Sequence, residues 1–382
     1  VTASLTLRLT RDEDEGFLAE EAARFVRENS TVERVRTLRD SRDEVGWSRD
    51  LWATLAELGW TALTTSPEDG GAGLGLFGAG LLLEEAGRRL MPEPLVPTFA
   101  ALEVLDRCAT GGARGRLVRR IVEGDAVVAL ALDEPGGRWD YEAPETVAVP
   151  DATGWTLNGV KSQVREGHVA DILLVSATTP DGFGLFEVPW DAAGVTRARQ
   201  TRIDGRGAAI VSLDHVEVGA RALLAKGDAA AAGVRAGLDR GTILLATEML
   251  GGAAQAFDDT LAYLKEREQF GVPIGSFQAL QHRAARVFMK IEMARSAVVA
   301  AARAADEPTT DDAEVARMAS LAKTVVGEAY LLAATEGIQM HGGVGVTDEY
   351  DIGLHLKRAR CAEATWGDAV WHRRRWARLG AY

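Results

Sequence analysis

The stretch Tyr263-Leu-Lys-Glu-Arg-Glu-Gln-Phe-Gly-Val-Pro-Ile-Gly-Ser-Phe-Gln-Ala-Leu-Gln-His282 joins two periodic segments and decides how the C-terminal part of the chain is read. A helix ends in charged residues, then Gly271, Pro273 and Gly275 make a tight connection. A second helix starts near Ser276, a suitable N-cap. A plain helix hairpin with polar ends accounts for this much. The side chains add something: Arg267, Gln269, Phe270 and Gln278 crowd one end, and a guanidinium beside an exposed helix N-terminus suits a diphosphate. A second junction, Gly337-Ile-Gln-Met-His-Gly-Gly-Val-Gly-Val-Thr347, runs a long helix into Gly342, Gly343 and Gly345. Bare backbone there admits a flat or charged ligand, and the same glycines also suit a helix C-cap. Two such junctions in one bundle, one with Arg267 and one with Gln339, favour a cofactor site.

Outward from these junctions, apolar periodicity predicts helices over Ala229–Glu268, Gln278–Ala305, Thr310–Met340 and Leu354–Leu379, with Pro273 and Pro308 between segments. Between about Asp125 and Lys226 the pattern changes. Short apolar runs at Ala126–Leu132, Thr146–Val149, Trp155–Leu157, Ile172–Ser176, Phe183–Val188 and Ala208–Leu213 are bounded by Gly, Pro, Asp or Asn, the signature of strands and turns. No helix-length pattern separates them, so a βαβ unit is excluded. Before that, Glu13–Asn29, Leu51–Trp60, Phe77–Leu90 and Leu102–Val122 read as helices, with Pro92, Pro94 and Pro97 as breakers. The expected fold is α+β: an N-terminal helical domain (1–124), a middle β-barrel or sandwich domain (125–226) and a C-terminal four-helix bundle (227–382).

Composition narrows the function classes. The chain has 382 residues, enough for two or three packed units, and its 47% hydrophobic content excludes a disordered chain. A net charge of -13 disfavours a nucleic-acid binder. Two distant cysteines make neither a disulfide framework nor a CxxC site. Val1–Gly16 lacks the basic start and apolar stretch of a signal peptide, and no apolar run approaches the roughly 20 residues of a membrane span. A cytoplasmic enzyme is expected. Gly73–Gly78 spells GxGxxG, but Pro92-Glu-Pro94 stands where a second strand should end in an acid, so a glycine-rich loop before a helix is the reading. The six histidines show no metal-ligand spacing, no GxSxG occurs, and no metal is expected. Arg373-Arg-Arg375 reads as a solvated helix face or a partner of the C-terminal helix dipole.

At the two junctions the sequence resembles the acyl-CoA dehydrogenase family. Arg267–His282 matches its R-x-Q-F-G-x-P-I-x-x-F-Q-x-x-Q-H stretch, and Gln339–Gly345 its Q-x-x-G-G-x-G stretch. Pro67–Gly73 is similar to the family's P-E-x-x-G-G-x-G turn, and Leu157-Asn-Gly-Val-Lys161 to its L-x-G-x-K hairpin. The resemblance implies FAD between the β domain and the bundle, its adenine diphosphate end also held by a neighbouring subunit. It implies that Arg267 meets the diphosphate, Gln269 and Phe270 the flavin's linker, with Gln278 in the same segment, and Gln339, Gly342 and Gly343 the adenosine half across the dimer. The implied reaction is α,β-dehydrogenation of an acyl-CoA or carrier-bound acyl thioester. A carboxylate takes the α-proton, hydride goes to the flavin, and an electron-transfer flavoprotein or similar acceptor follows.

The family supplies its catalytic Glu from one of two places. In this sequence those places hold Trp366 and Gly241, and neither side chain is a base. The nearest acids are Glu248, Glu363 and Asp368; Glu248 sits mid-helix, where an ion-pair role competes. The family's T-E-P-x-A-G-S-D stretch reads Asp133-Glu-Pro-Gly-Gly-Arg-Trp-Asp140, and no aromatic follows Lys161 to cover the flavin. Three readings follow: a complete enzyme, homo-oligomeric, with a relocated base; the base-less chain of a heterotetramer whose homologous partner supplies the Glu; or a flavoprotein of the same fold with other chemistry on a CoA- or carrier-bound acyl group. A non-flavin scaffold is a fourth.

Overall fold

The computed structural model describes residues 10–109, 111–137 and 139–382. Val1–Leu9, the first part of the segment read above as lacking a signal peptide, and Arg138 of the Asp133–Asp140 stretch lie outside the described residues. The chain separates into two units that do not follow chain order: Val1–Thr37, Leu76–Met91 and Thr242–Tyr382 form one, and Leu38–Gly75 with Pro92–Gly241 the other.

In the first unit, α1 (Glu13–Asn29) begins with a capping box in which Asp12 and Glu15 satisfy each other's backbone N–H groups. α4 (Gly75–Arg88) is apolar on nearly every face and correspondingly buried. Its first free N–H groups, on Leu76 and Phe77, donate to both carboxylate oxygens of Asp306 at 2.6 and 2.9 Å. The glycine-rich loop before α4 therefore offers no open anion seat, in keeping with its reading as a plain loop. The bundle consists of the part of α7 (Gly227–Glu266) from Thr242 onward, with α8 (Gln278–Asp306), α9 (Asp312–His341), α10 (Ile352–Glu363) and α11 (Ala369–Leu379). The expected single helix over Leu354–Leu379 is two, because Trp366 and Gly367 both take positive φ and turn the chain. Ser276 is not the cap expected: its hydroxyl donates to the Pro273 carbonyl, and Phe277 occupies the N-cap position of α8.

The second unit holds α2's last residues (α2, Val32–Asp40), α3 (Arg49–Glu57), α5 (Leu95–Cys108), α6 (Gly111–Val122) and an eight-stranded sheet. α4 ends before the prolines as expected, but Pro97 lies within the first turn of α5, where a missing N–H costs nothing, so the next helix begins at Leu95 and not at Leu102. The strands are β1 (Val128–Ala131), β2 (Val147–Pro150), β3 (Gly154–Arg165), β4 (Ile172–Thr179), β5 (Gly182–Pro189), β6 (Val195–Thr201), β7 (Gly207–Gly219) and β8 (Leu223–Lys226). Their order is β6-β7-β3-β2-β4-β5-β8, with β1 parallel to β4. The six expected strands are all present. β6 and β8, the two edge strands, go beyond that expectation: β6, with Arg197, Arg199 and Gln200, has no apolar run, and β8 is only four residues long. Leu157, Leu173, Val175, Phe186 and Val211 fill the sheet's core. At the resembling L-x-G-x-K segment, Lys161 is fully buried, donating to Glu134 at 2.6 Å and Ser176 at 3.0 Å.

Candidate active site and cofactor cradle

α7 ends by handing its last turn to a short hairpin. The N–H of Arg267 still reaches the Tyr263 carbonyl at 2.8 Å, after which β9 (Glu268–Gln269) pairs with β10 (Val272–Pro273). Phe270 and Gly271 both have left-handed backbones, the geometry a two-residue hairpin loop needs. The turn pushes Phe270 out to 92% exposure, edge-on to Phe277. Arg267, Gln269 and Gln278 are exposed on the same segment. Among the described residues the side chains of Arg267 and Gln278 make no hydrogen bond or ion pair, and Gln269 spends one N–H on the adjacent Glu268 carbonyl.

Tyr263 joins this hairpin to the second junction. Its hydroxyl donates to the His341 carbonyl at 3.2 Å and its ring stacks on His341 at 4.3 Å, with Tyr350 edge-on to both. α9 stops at His341, and Gly342 takes φ +67° while its N–H returns to the Gln339 carbonyl. A Cβ placed on Gly342 or Gly343 would meet nothing within 4 Å, and Gln339 is exposed with no side-chain bond among the described residues. One end of the bundle thus offers an uncommitted guanidinium, uncommitted amides, an exposed aromatic ring and open glycine backbone. This donor set fits the diphosphate and adenosine parts of a dinucleotide.

The turn between α10 and α11 carries Trp366, which is buried. The acids near it in sequence are engaged. Glu248 receives Arg358 at 2.8 and 3.3 Å, both side chains buried. Glu363 accepts the N–H of Ala369 at 3.3 Å, and Asp368 caps α11 by accepting the N–H of Trp371 at 2.7 Å. Gly241 lies inside α7, buried, after the buried Arg240, whose Nε stands 3.9 Å from Glu103. Lys323, unremarked in the sequence reading, donates to the carbonyls of Glu363, Thr365 and Gly367. Its signal was a lysine set between Leu321, Ala322, Val325 and Val326 in an otherwise apolar stretch of helix.

In the second unit, Asp133 is held by the Tyr141 hydroxyl at 3.1 Å. Burial pushes its carboxyl up, against the pull of Arg165 and Lys161. Glu134 is held below the usual carboxylate range despite burial, because Lys161, Thr146 and the Glu145 N–H all donate to it. Beyond Lys161, β3 bulges and Gln163 takes a left-handed backbone, so the place after the buried lysine presents an amide and not a ring.

Sequence models of the acyl-CoA dehydrogenase N-terminal, middle and C-terminal domains match residues 12–125, 129–216 and 232–379. Acyl-CoA dehydrogenase IpdE2 of Mycobacterium tuberculosis is 33% identical over 353 residues, covering 92% of each chain. Among solved structures, a variant of the steroid acyl-CoA dehydrogenase Tcur3481–Tcur3483 is 35% identical with a TM-score of 0.86, covering 97% of this chain and 98% of that one. The ChsE4–ChsE5 complex of Mycobacterium tuberculosis is 26% identical with a TM-score of 0.87, covering 98% and 99%. No described helix is long and apolar enough to cross a membrane. With the three domain matches in chain order and the likeness running over nearly the whole length, this chain belongs to the acyl-CoA dehydrogenase family, oxidoreductases that act on CH–CH bonds of acyl thioesters.

Proposed function

We propose that this chain is the base-less subunit of a heteromeric, FAD-dependent acyl-CoA dehydrogenase, paired in the cytoplasm with a homologous chain that supplies the catalytic carboxylate. What carries the reading is the fate of the acids. The family's two base positions hold Trp366 and Gly241, while Glu248, Glu363 and Asp368 are engaged by Arg358, the Ala369 N–H and the Trp371 N–H. A carboxylate committed to a buried guanidinium is a poor proton acceptor, because protonation would leave the cation unpaired. The naming of the relatives as a steroid acyl-CoA dehydrogenase and as a ChsE4–ChsE5 complex supports a bulky, steroid-type acyl thioester and a two-chain assembly.

FAD, when bound, supplies the hydride acceptor. This chain's part is to hold it. Arg267 offers a planar set of donors to the diphosphate, Gln269, Gln278 and Gln339 offer amides, and Gly342 and Gly343 let the adenosine half lie against main chain. The Trp366 indole excludes water without exchanging protons. An electron-transfer flavoprotein or similar acceptor takes the electrons onward.

The test is anaerobic titration of the flavin band with straight-chain, branched and steroid-derived acyl-CoAs. The chain expressed alone is expected to leave the band unbleached. Co-expressed with its homologous partner, it should purify as a tetramer of unequal chains that one thioester class bleaches. Bleaching by the isolated chain overturns the reading and returns the search to its own acids.

A further inference from the structure

Lys323 is 2% exposed in the middle of α9, and its ammonium points at main chain. It donates to the carbonyls of Glu363 at 2.9 Å, Thr365 at 3.0 Å and Gly367 at 3.0 Å, one for each N–H of an ammonium group. Burying a cation is costly unless its donors are met, and here the acceptors are the carbonyl of Glu363, the last residue of α10, and those of Thr365 and Gly367 in the turn beyond it. A positive charge at a helix C-terminus is also favoured by the helix dipole.

The three carbonyls bracket Trp366. That residue takes φ +55°, a left-handed backbone that L-residues seldom adopt. Gly367 follows at φ +119°, where a Cβ would stand 2.6 Å from Trp371 and 2.8 Å from His372. Asp368 then caps α11. Every one of these constraints acts on main chain or on a residue beside Trp366. These constraints hold the main chain on either side of Trp366, whose side chain is buried.

We infer that Lys323 is a positioning residue: through the carbonyls of Glu363, Thr365 and Gly367 it fixes the turn that keeps Trp366 turned inward, closing with an indole the place from which the family presents its base. The closing role rests on the reading of Trp366 given above. The positioning role can be tested separately from it.

The chain, purified with its partner if the two assemble, is labelled with 5-fluorotryptophan. Its nine indoles give fluorine resonances, and Trp366→Phe identifies the one of interest. Lys323→Met keeps the apolar stem and removes the donors. It is expected to move the Trp366 resonance by more than its linewidth or split it, while the Trp47 and Trp155 lines hold their places. Lys323→Arg, which keeps the charge and several donors, should restore a single line. Gly367→Ala attacks the same turn without touching the lysine and should displace the Trp366 line likewise. Lys323→Gln, which keeps one amide donor on a shorter stem, decides the matter if Lys323→Met yields no folded protein. A Trp366 line unchanged in Lys323→Met, or in Lys323→Gln where that variant stands in for it, overturns the inference, as does a uniform shift of all nine lines. Flavin bleaching by the isolated chain would instead refute the base-less reading and leave the fluorine result standing.

Discussion

Glu248 and Arg267 are opposite cases of a charged side chain in one bundle. Glu248 is buried and spent on Arg358. Removing one member of a buried pair strands the other, at a cost of about 3–5 kcal/mol. Glu248→Ala is therefore expected to lower stability by that order in urea unfolding, with Glu248→Gln much milder. A Glu248→Ala variant of near-native stability would put the carboxylate outside the structural role. Arg267 is exposed and uncommitted, so its loss should cost the fold little. Arg267→Ala is expected to lower FAD content after gel filtration several-fold with an unchanged far-UV spectrum. Full retention of FAD would count against the diphosphate placement.

At the scale of elements, α4 and α7 approach through glycine on both sides. A Cβ on Gly87 would overlap the Glu248 carbonyl, and one on Gly251 would overlap the Glu84 carbonyl. Helix propensity alone favours Gly→Ala by roughly 1 kcal/mol. Overpacking opposes it by about 1–3 kcal/mol or more when backbone must shift. The contact here is with main chain, so Gly251→Ala should destabilise, seen as a fall in the thermal midpoint; a rise would mean the helices part freely. The α10–α11 break is a second lesson at this scale. Leu354–Leu379 keeps helical periodicity across Trp366, so the sequence reads as one helix. Gly367 and the Lys323 contacts, which no local pattern announces, divide it.

For the whole molecule, buried titrating groups shape the pH dependence. Burial raises the Glu166 carboxyl from its ordinary 4.5 to about 7, only partly offset by the Trp47 indole N–H that donates to it. The folded state then holds a proton that the unfolded state has lost, so this contribution is present below about 4.5 and disappears as pH rises through about 7. His355 and His372 act the other way. Burial lowers them to about 4 and about 2, with Lys323 and Arg375 adding to the effect on His372, so stability falls as pH drops below 6.5. The maximum should lie near neutrality. Glu166→Gln cancels the first term and leaves the histidines, so between pH 6 and 8 it should lose about 1 kcal/mol less than the parent chain in urea titrations. Parallel curves for the two proteins would show that Glu166 does not titrate there.

The sequence by itself determined the order of helices, strands and helices, the two glycine-rich junctions and the family. Each of these is a local pattern: apolar periods, turn residues, and motifs such as Arg267–His282 whose members lie within one hairpin. The resemblance also set Trp366 and Gly241 where a base was expected, and the proposed function rests on that expectation. Whether a neighbouring acid was free to replace them was a different kind of question. Glu248 meets Arg358 across 110 residues of chain, and Lys323 meets the Glu363–Gly367 turn across 40 or more. Only tertiary structure decides such pairings, because a charge's availability depends on what packing brings to it and on how much water burial removes.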